Sequence, residues 1–114
     1  MSRSFPAKLE AITDGDTIVM ALDLGLRIWS VQPLRLLGIN CPEKNTEAGR
    51  AARAFSQQWM SSSALFTVVT EKNPEKYGRW LATIFKPDSV FSLNEALLGS
   101  GNALTWSGKG VRPA

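Results

Sequence analysis

Residues 33–43 read Pro-Leu-Arg-Leu-Leu-Gly-Ile-Asn-Cys-Pro-Glu. An apolar strand with one charge, Arg35, runs into a glycine turn, and polar residues follow at once: Asn40, the only cysteine (Cys41), and Glu43. A strand that enters a proline-stiffened turn can hold a guanidinium and a carboxylate in fixed relation. The stretch therefore predicts an anion-binding group beside a base or a metal ligand, as phosphodiester chemistry requires. A second acid and a second cation must come from elsewhere in the chain.

The composition limits which chemistry is possible. With 114 residues, 44% of them hydrophobic and 20% charged, we expect one globular domain over residues 1–114 with a core over about 7–106. One cysteine excludes an internal disulfide, and the lack of histidine excludes Cys–His catalysis and most zinc sites. Catalysis would depend on carboxylates, cations and a hard metal ion. The net charge of +3 permits a polyanionic partner without requiring one.

The chain has no run of eighteen apolar residues, so we expect no association with a membrane. Its first residues lack the apolar segment of a secretory signal, which favours a cytoplasmic location. No segment points to an obligatory protein partner.

The order of predicted elements is three strands, a helix, two strands and a short helix. Alternating apolar positions and turn signals predict strands over residues 7–13, 17–22, 26–39, 64–70 and 79–85, and helices over about 50–62 and 92–98. Five short strands with a helix after the third predict an α+β, mainly β fold: an OB-fold, a five-stranded antiparallel barrel with two helices. Because Pro33 cannot donate a ladder hydrogen bond, we expect a bulge or an edge position there.

Each charged residue has a structural explanation when it is considered alone. The run Asp14-Gly15-Asp16 suits a hairpin turn without any function, although Asp16 is not needed for the turn and is suited to bind Ca²⁺. An arginine in an apolar strand often rests its stem on the core. For Trp106, near the end of the chain, we expect cover for the core rather than stacking on a base.

Taken together, four runs resemble the staphylococcal nuclease family from about residue 11 to residue 103. The runs are Asp-Gly-Asp-Thr at 14–17, Arg-Leu-Leu-Gly-Ile-Asn-Cys-Pro-Glu at 35–43, Lys-Tyr-Gly-Arg-Trp-Leu-Ala at 76–82, and Leu-Asn-Glu-Ala-Leu at 93–97. The resemblance implies an OB barrel that acts as a calcium-dependent endonuclease on DNA and RNA. Asn94, in the last run, resembles a structural asparagine. Few residues follow Trp106 in this sequence, so we expect the family's long C-terminal helix to be lacking.

The resemblance also implies which residues act on the substrate. Arg35 and Arg79 resemble the two arginines that bind the scissile phosphate, and Glu43 resembles the glutamate that activates or orients the attacking water. Lys76 and Tyr77 resemble groups that hold a neighbouring phosphate. The chemistry is consistent, because two guanidinium groups can neutralise the charge that develops as water attacks.

The metal site implied by the resemblance departs from the family at two positions. Asp16 resembles the metal-ligand aspartate, but Asn40 stands where the family usually has a second aspartate, and Cys41 stands where the family has Thr or Ala. Cys41 still supplies the backbone carbonyl that serves as a ligand, and its thiol is expected to behave as a small hydrophobe. Losing one carboxylate should weaken Ca²⁺ binding.

Two other functions stay open beside the nuclease. One is a catalytically weakened OB-fold module that binds nucleic acid without cutting it. The other is a purely structural or protein-interaction barrel. Glu43 argues against a pure binder, because a carboxylate beside bound phosphates repels them.

Overall fold

Five strands close into a barrel in the computed structural model, which describes residues 2–74, 78–87 and 89–106. The elements are β1 (Ser2–Asp14), β2 (Thr17–Asp23), β3 (Trp29–Leu36), β4 (Ile39–Asn40), α1 (Glu47–Ser61), β5 (Phe66–Pro74), β6 (Trp80–Phe85), α2 (Leu93–Gly99) and β7 (Leu104–Thr105). The barrel order is β1-β2-β3-β6-β5, and β4 and β7 form a separate two-stranded sheet. The predicted five-stranded barrel with two helices is confirmed.

The barrel closes through two features of its strands. β1 is long enough to serve two neighbours, and Ala7 pairs with Leu22 of β2 and with Phe66 of β5. On the far side, β3 and β6 pair in parallel from Leu34 opposite Trp80. We expected all neighbouring strands to be antiparallel, and this expectation is wrong for the pair of β3 and β6. The parallel pair sets the outer faces of β3 and β6 side by side.

The third strand is shorter than predicted. It begins at Trp29 rather than at residue 26, because Leu26 and Arg27 adopt left-handed backbone angles (φ 54° and 65°) in the turn after β2. It ends at Leu36, and Gly38 (φ 81°) turns the chain into the two-residue strand β4. Residues 26–39 are therefore a turn, a strand, a second turn and a short strand.

Pro33 lies in β3, at a position where we expected either a bulge or the edge of the sheet. It pairs with Val19 of β2 in regular register, while the pairing of β3 with β6 begins one residue later, at Leu34. The proline therefore takes a position at which a missing N–H costs little.

Helix α1 starts at Glu47, three residues before the predicted start. Thr46 caps it, since the Gly49 N–H donates to the Thr46 hydroxyl at 3.0 Å. Ala52 and Met60 are buried against the barrel, and the Trp59 ring stacks on Phe66 with centroids 6.2 Å apart. The apolar face of the helix thus packs on the core.

Helix α2 begins with a capping box. The Ser92 side chain accepts from the Glu95 N–H, and the Glu95 carboxylate accepts from the Ser92 N–H. Its Leu93 and Leu97 are buried in the core. None of the helices in the described part of the chain is long and apolar enough to cross a membrane.

The small sheet of β4 and β7 was not predicted. Ile39 pairs with Thr105 and Asn40 with Leu104. One residue further on, the Trp106 N–H donates to the Gly38 carbonyl at 2.9 Å. The chain after α2 is thereby fixed against residues 38–40, which belong to the stretch that carries the candidate site.

Candidate active site

The turn between β1 and β2 buries a carboxylate at one end of the barrel. Asp16 is 1% exposed, and its backbone carbonyl accepts from the Leu36 N–H at 2.9 Å. Ser56 of α1 donates its hydroxyl to the Gly15 carbonyl at 2.8 Å. The turn is therefore fixed by β3 on one side and by α1 on the other.

Arg35 gathers the predicted polar residues around its guanidinium group. Its Nη1 lies 3.4 Å from Asp16 Oδ2, and its Nη2 donates to Asn40 Oδ1 at 2.6 Å. Nη1 also donates to the Leu36 carbonyl at 3.1 Å. Arg35 is 2% exposed. The guanidinium thus lies between the carboxylate and the amide that were predicted as metal ligands.

Trp106 covers this guanidinium from outside. The Arg35 Cζ lies 5.0 Å from the centre of the Trp106 ring, within the range of a cation–π contact. The indole is half-buried. We expected Trp106 to cover the core, and in the structure its ring lies over the Arg35 guanidinium. The sequence carried no signal that Arg35 would be the group it covers.

Burial sets the protonation behaviour of Asp16. Burial and a hydrogen bond with the Asp14 side chain raise its pKa from 3.8 to about 6, although Arg35 and the Cys41 N–H act in the opposite direction. The Cys41 N–H donates to Asp16 Oδ2 at 2.8 Å. Asp14, which the sequence explained as a turn residue, therefore brings a second carboxyl to this end of the barrel. The sequence signal for this second carboxyl was the pair of acids, Asp14 and Asp16, on either side of Gly15.

Cys41 is a buried thiol that packs against the same turn. It is a free cysteine, and its Sγ would lie 2.9 Å from a Cβ added at Gly15. Gly15 is therefore a glycine because the cysteine and the helix leave no space for a side chain. The packing agrees with the small-hydrophobe role predicted for the thiol.

Glu43 stands on the exposed loop that follows Cys41. Its carbonyl accepts from the Thr46 N–H at 3.1 Å and from the Thr46 hydroxyl at 2.7 Å. A Cβ added at Gly49 would lie 1.7 Å from this carbonyl oxygen. The backbone of Glu43 therefore packs against the first turn of α1, and residue 49 has to be glycine, a requirement that the sequence did not reveal.

Arg79 lies immediately before β6 and is half-buried. Trp80 is in register with Leu34 and Leu81 with Arg35. Since side chains alternate along strands, Arg79 and Arg35 share the outer face of the parallel pair. Lys76 and Tyr77, the predicted neighbours of a second phosphate, lie outside the described residues.

Asn94 makes the contacts expected of a structural asparagine. Its Nδ2 donates to the Leu37 carbonyl at 2.9 Å and to the Ala82 carbonyl at 3.1 Å, and its Oδ1 accepts from the Ile84 N–H at 3.4 Å. One side chain thus joins α2, the end of β3 and β6 just below the candidate site.

The oxygen donors present are of the type that Ca²⁺ binds. Among residues 2–74, 78–87 and 89–106, no three His, Cys, Asp or Glu side chains come together at one point. Asp16 and Asn40 nevertheless both direct an oxygen at the same cation, the Arg35 guanidinium. Carboxylate and amide oxygens are hard ligands of the kind that Ca²⁺ prefers, but one carboxylate and one amide supply fewer charges than a high-affinity site carries.

The closed five-stranded barrel with two helices is the fold expected of a staphylococcal nuclease-like OB domain. A model of the staphylococcal nuclease homologue family matches residues 33–112. The chain belongs to this family. It is also similar to a thermonuclease from Staphylococcus intermedius, with 28% identity over 101 residues. That match covers 83% of this chain and 57% of the relative, so the chain spans little more than half of that protein's length.

Proposed function

We propose that this protein is a calcium-dependent endonuclease that hydrolyses phosphodiester bonds of DNA or RNA with low sequence specificity. The observation that carries the proposal is the position of the Arg35 guanidinium, which lies 3.4 Å from Asp16 Oδ2 and 2.6 Å from Asn40 Oδ1. A cation, a carboxylate and a neutral oxygen are thereby held at one end of the barrel. Membership of the staphylococcal nuclease family supports the same activity.

Each residue has a chemical task in this proposal. Asp16, Asn40 and the Cys41 carbonyl would hold Ca²⁺, which supplies Lewis-acid stabilisation of the phosphate oxygens when it is bound. Glu43 would orient the attacking water or accept its proton from the exposed loop. Arg79 would bind a phosphate oxygen from the outer face of β6. Lys76 and Tyr77 would hold a neighbouring phosphate.

Arg35 cannot keep its observed position and also contact a phosphate directly. In the structure it is buried beneath Trp106 and orients the Asp16 and Asn40 oxygens. Direct contact with a phosphate would require the indole to move aside. This burial, together with the neutral Asn40, is also the observation that favours the second candidate, a module that binds nucleic acid and cuts it poorly.

Cleavage of plasmid DNA and of single-stranded RNA in Ca²⁺, Mg²⁺ or chelator tests the proposal. We expect cleavage that chelator abolishes and that Glu43→Gln lowers by about 10²–10⁴-fold, because the amide cannot accept a proton. Glu47→Gln is the matched control, since Glu47 is also exposed and lies four residues away in α1. If neither chelator nor Glu43→Gln lowered the rate of cleavage, the proposed site would be refuted.

Restoring the carboxylate should strengthen metal binding. For Asn40→Asp we expect the Ca²⁺ midpoint, measured by calorimetry and by cleavage, to fall about tenfold, because a second charge joins Asp16 at the cation. Asn102→Asp adds the same charge after α2 and should leave the midpoint unchanged. Equal midpoints for wild type and Asn40→Asp would contradict the expectation.

A further inference from the structure

The outer face of β3 carries an exposed apolar row that leads to the candidate site. Trp29, Val31 and Pro33 are exposed and alternate with residues that turn into the barrel; we name these three residues the β3 face. Trp29 is 42% and Val31 56% exposed. The row continues on the same side of the strand to Arg35. Six residues of strand place Trp29 about 20 Å from Arg35.

A lysine flanks the β3 face on the side of β1. The Lys8 Nζ lies 4.8 Å from the centre of the Trp29 ring. The register explains this contact, since Lys8 pairs with Ala21 and Ala21 pairs with Val31. An acid, Asp23, is opposite Trp29 and accepts from the Gly25 N–H at 2.8 Å in the turn. The Lys8 ammonium thus lies over one face of the exposed indole, and a base would stack on the other face.

A second cation flanks the same face on the side of β6. Arg79 precedes Trp80, which is in register with Leu34, so Arg79 lies level with Pro33. In the barrel order β1-β2-β3-β6, β1 presents a cation and β3 presents the apolar row with an aromatic ring. The residue before β6 presents a second cation. Aromatic rings between cations are the pattern that binds single-stranded nucleic acid, because bases stack and phosphates pair with the cations.

The geometry points to the β3 face as a binding track for single-stranded nucleic acid, with a base stacked on Trp29 and flanking phosphates held by Lys8 and Arg79. This inference rests on the proposed function and specifies its substrate. A base paired within a duplex has both faces covered by its neighbours, so the exposed indole favours single strands over double strands. A track of about 20 Å suits an OB-fold site of at least about four nucleotides.

The test is the affinity for a fluorescently labelled oligothymidylate 12-mer, measured by anisotropy in chelator at fixed salt. We expect Trp29→Ala to weaken binding by about 5–100-fold, because one stacked base is lost. Trp29→Phe should restore most of the affinity. Phe91→Ala is the matched control, since Phe91 is 65% exposed on the segment before α2. Lys8→Gln should reduce the salt dependence by about one counterion.

Three outcomes would overturn the track. In the first, the affinity of Trp29→Ala stays within twofold of that of wild type. In the second, Phe91→Ala loses as much affinity as Trp29→Ala. In the third, Trp29→Ala changes the oligomeric state and leaves binding unchanged. Thermal unfolding of each variant verifies that the fold is kept. The assay does not depend on cutting. Wild-type protein that binds but never cuts would refute the nuclease and leave the track, whereas a nuclease indifferent to Trp29 would refute only the track.

Discussion

Replacing Arg35 by Met is expected to lower the free energy of unfolding by about 3–5 kcal/mol at pH 8, because it leaves the buried Asp16 carboxylate without its cation. The same change removes the partner of Asn40 Oδ1 and the cation that lies under Trp106. Met fills a similar volume, so the loss reports charge rather than a cavity. Urea unfolding at fixed ionic strength measures it.

The loss caused by Arg35→Met should be smaller at pH 5 than at pH 8. The pKa of Asp16 is already raised to about 6, and removing Arg35 removes a group that lowers it. The folded variant therefore binds a proton more tightly than the unfolded chain, and its stability falls as pH rises through the folded pKa. At pH 5 the carboxyl is neutral and the missing cation matters less.

A surface arginine provides the comparison for Arg35. Arg50 is exposed on α1, where its Nη1 donates to the Asn45 carbonyl at 3.3 Å. Arg50→Met should change the free energy of unfolding by less than about 0.5 kcal/mol at either pH. If Arg35→Met costs no more than Arg50→Met at pH 8, then the buried ion pair does not hold this end of the barrel together.

Replacing Gly49 by Ala is expected to destabilise the protein by about 3 kcal/mol or more. The added Cβ would lie 1.7 Å from the Glu43 carbonyl oxygen and 2.5 Å from its carbonyl carbon. Rotating a side chain cannot relieve a clash with backbone, so the loop or the first turn of α1 must move. Glu43 moves with it, and cleavage should fall together with stability.

Gly99→Ala is the control for the Gly49 variant. Gly99 is also helical, at the end of α2, and an added Cβ there would meet nothing within 4 Å. It should be neutral or gain about 0.4–1 kcal/mol, because alanine restricts the unfolded chain. A structure of Gly49→Ala with Glu43 in its original place would show that the close approach is not required.

The barrel was predictable because its strands leave periodic signals. The apolar run of β2 and the Asp14-Gly15 turn mark one hairpin, and Ser92 with Glu95 marks the start of α2. The two-residue strands β4 and β7 carry no period, since two residues cannot show one. Their pairing depends on tertiary position alone. The early start of α1 at Thr46 was missed because the polar residues before Arg50 read as loop.

The candidate site was predictable only in part. The order of the four runs identified Asp16, Arg35 and Asn40, and these side chains do meet. The contact between Arg35 and Trp106 could not be predicted, because it joins residues far apart in the chain through the β4–β7 sheet. The need for glycine at 49 depends on where the backbone of Glu43 passes, which local pattern does not encode.

The β4–β7 pairing also has a consequence for the order in which the protein is made. Asn40 leaves the ribosome long before its sheet partner Leu104 has been added, and Arg35 waits equally long for the indole of Trp106. The pairing of Asn40 with Leu104 and the indole cover over Arg35 can therefore form only after residues 104–106 have left the ribosome.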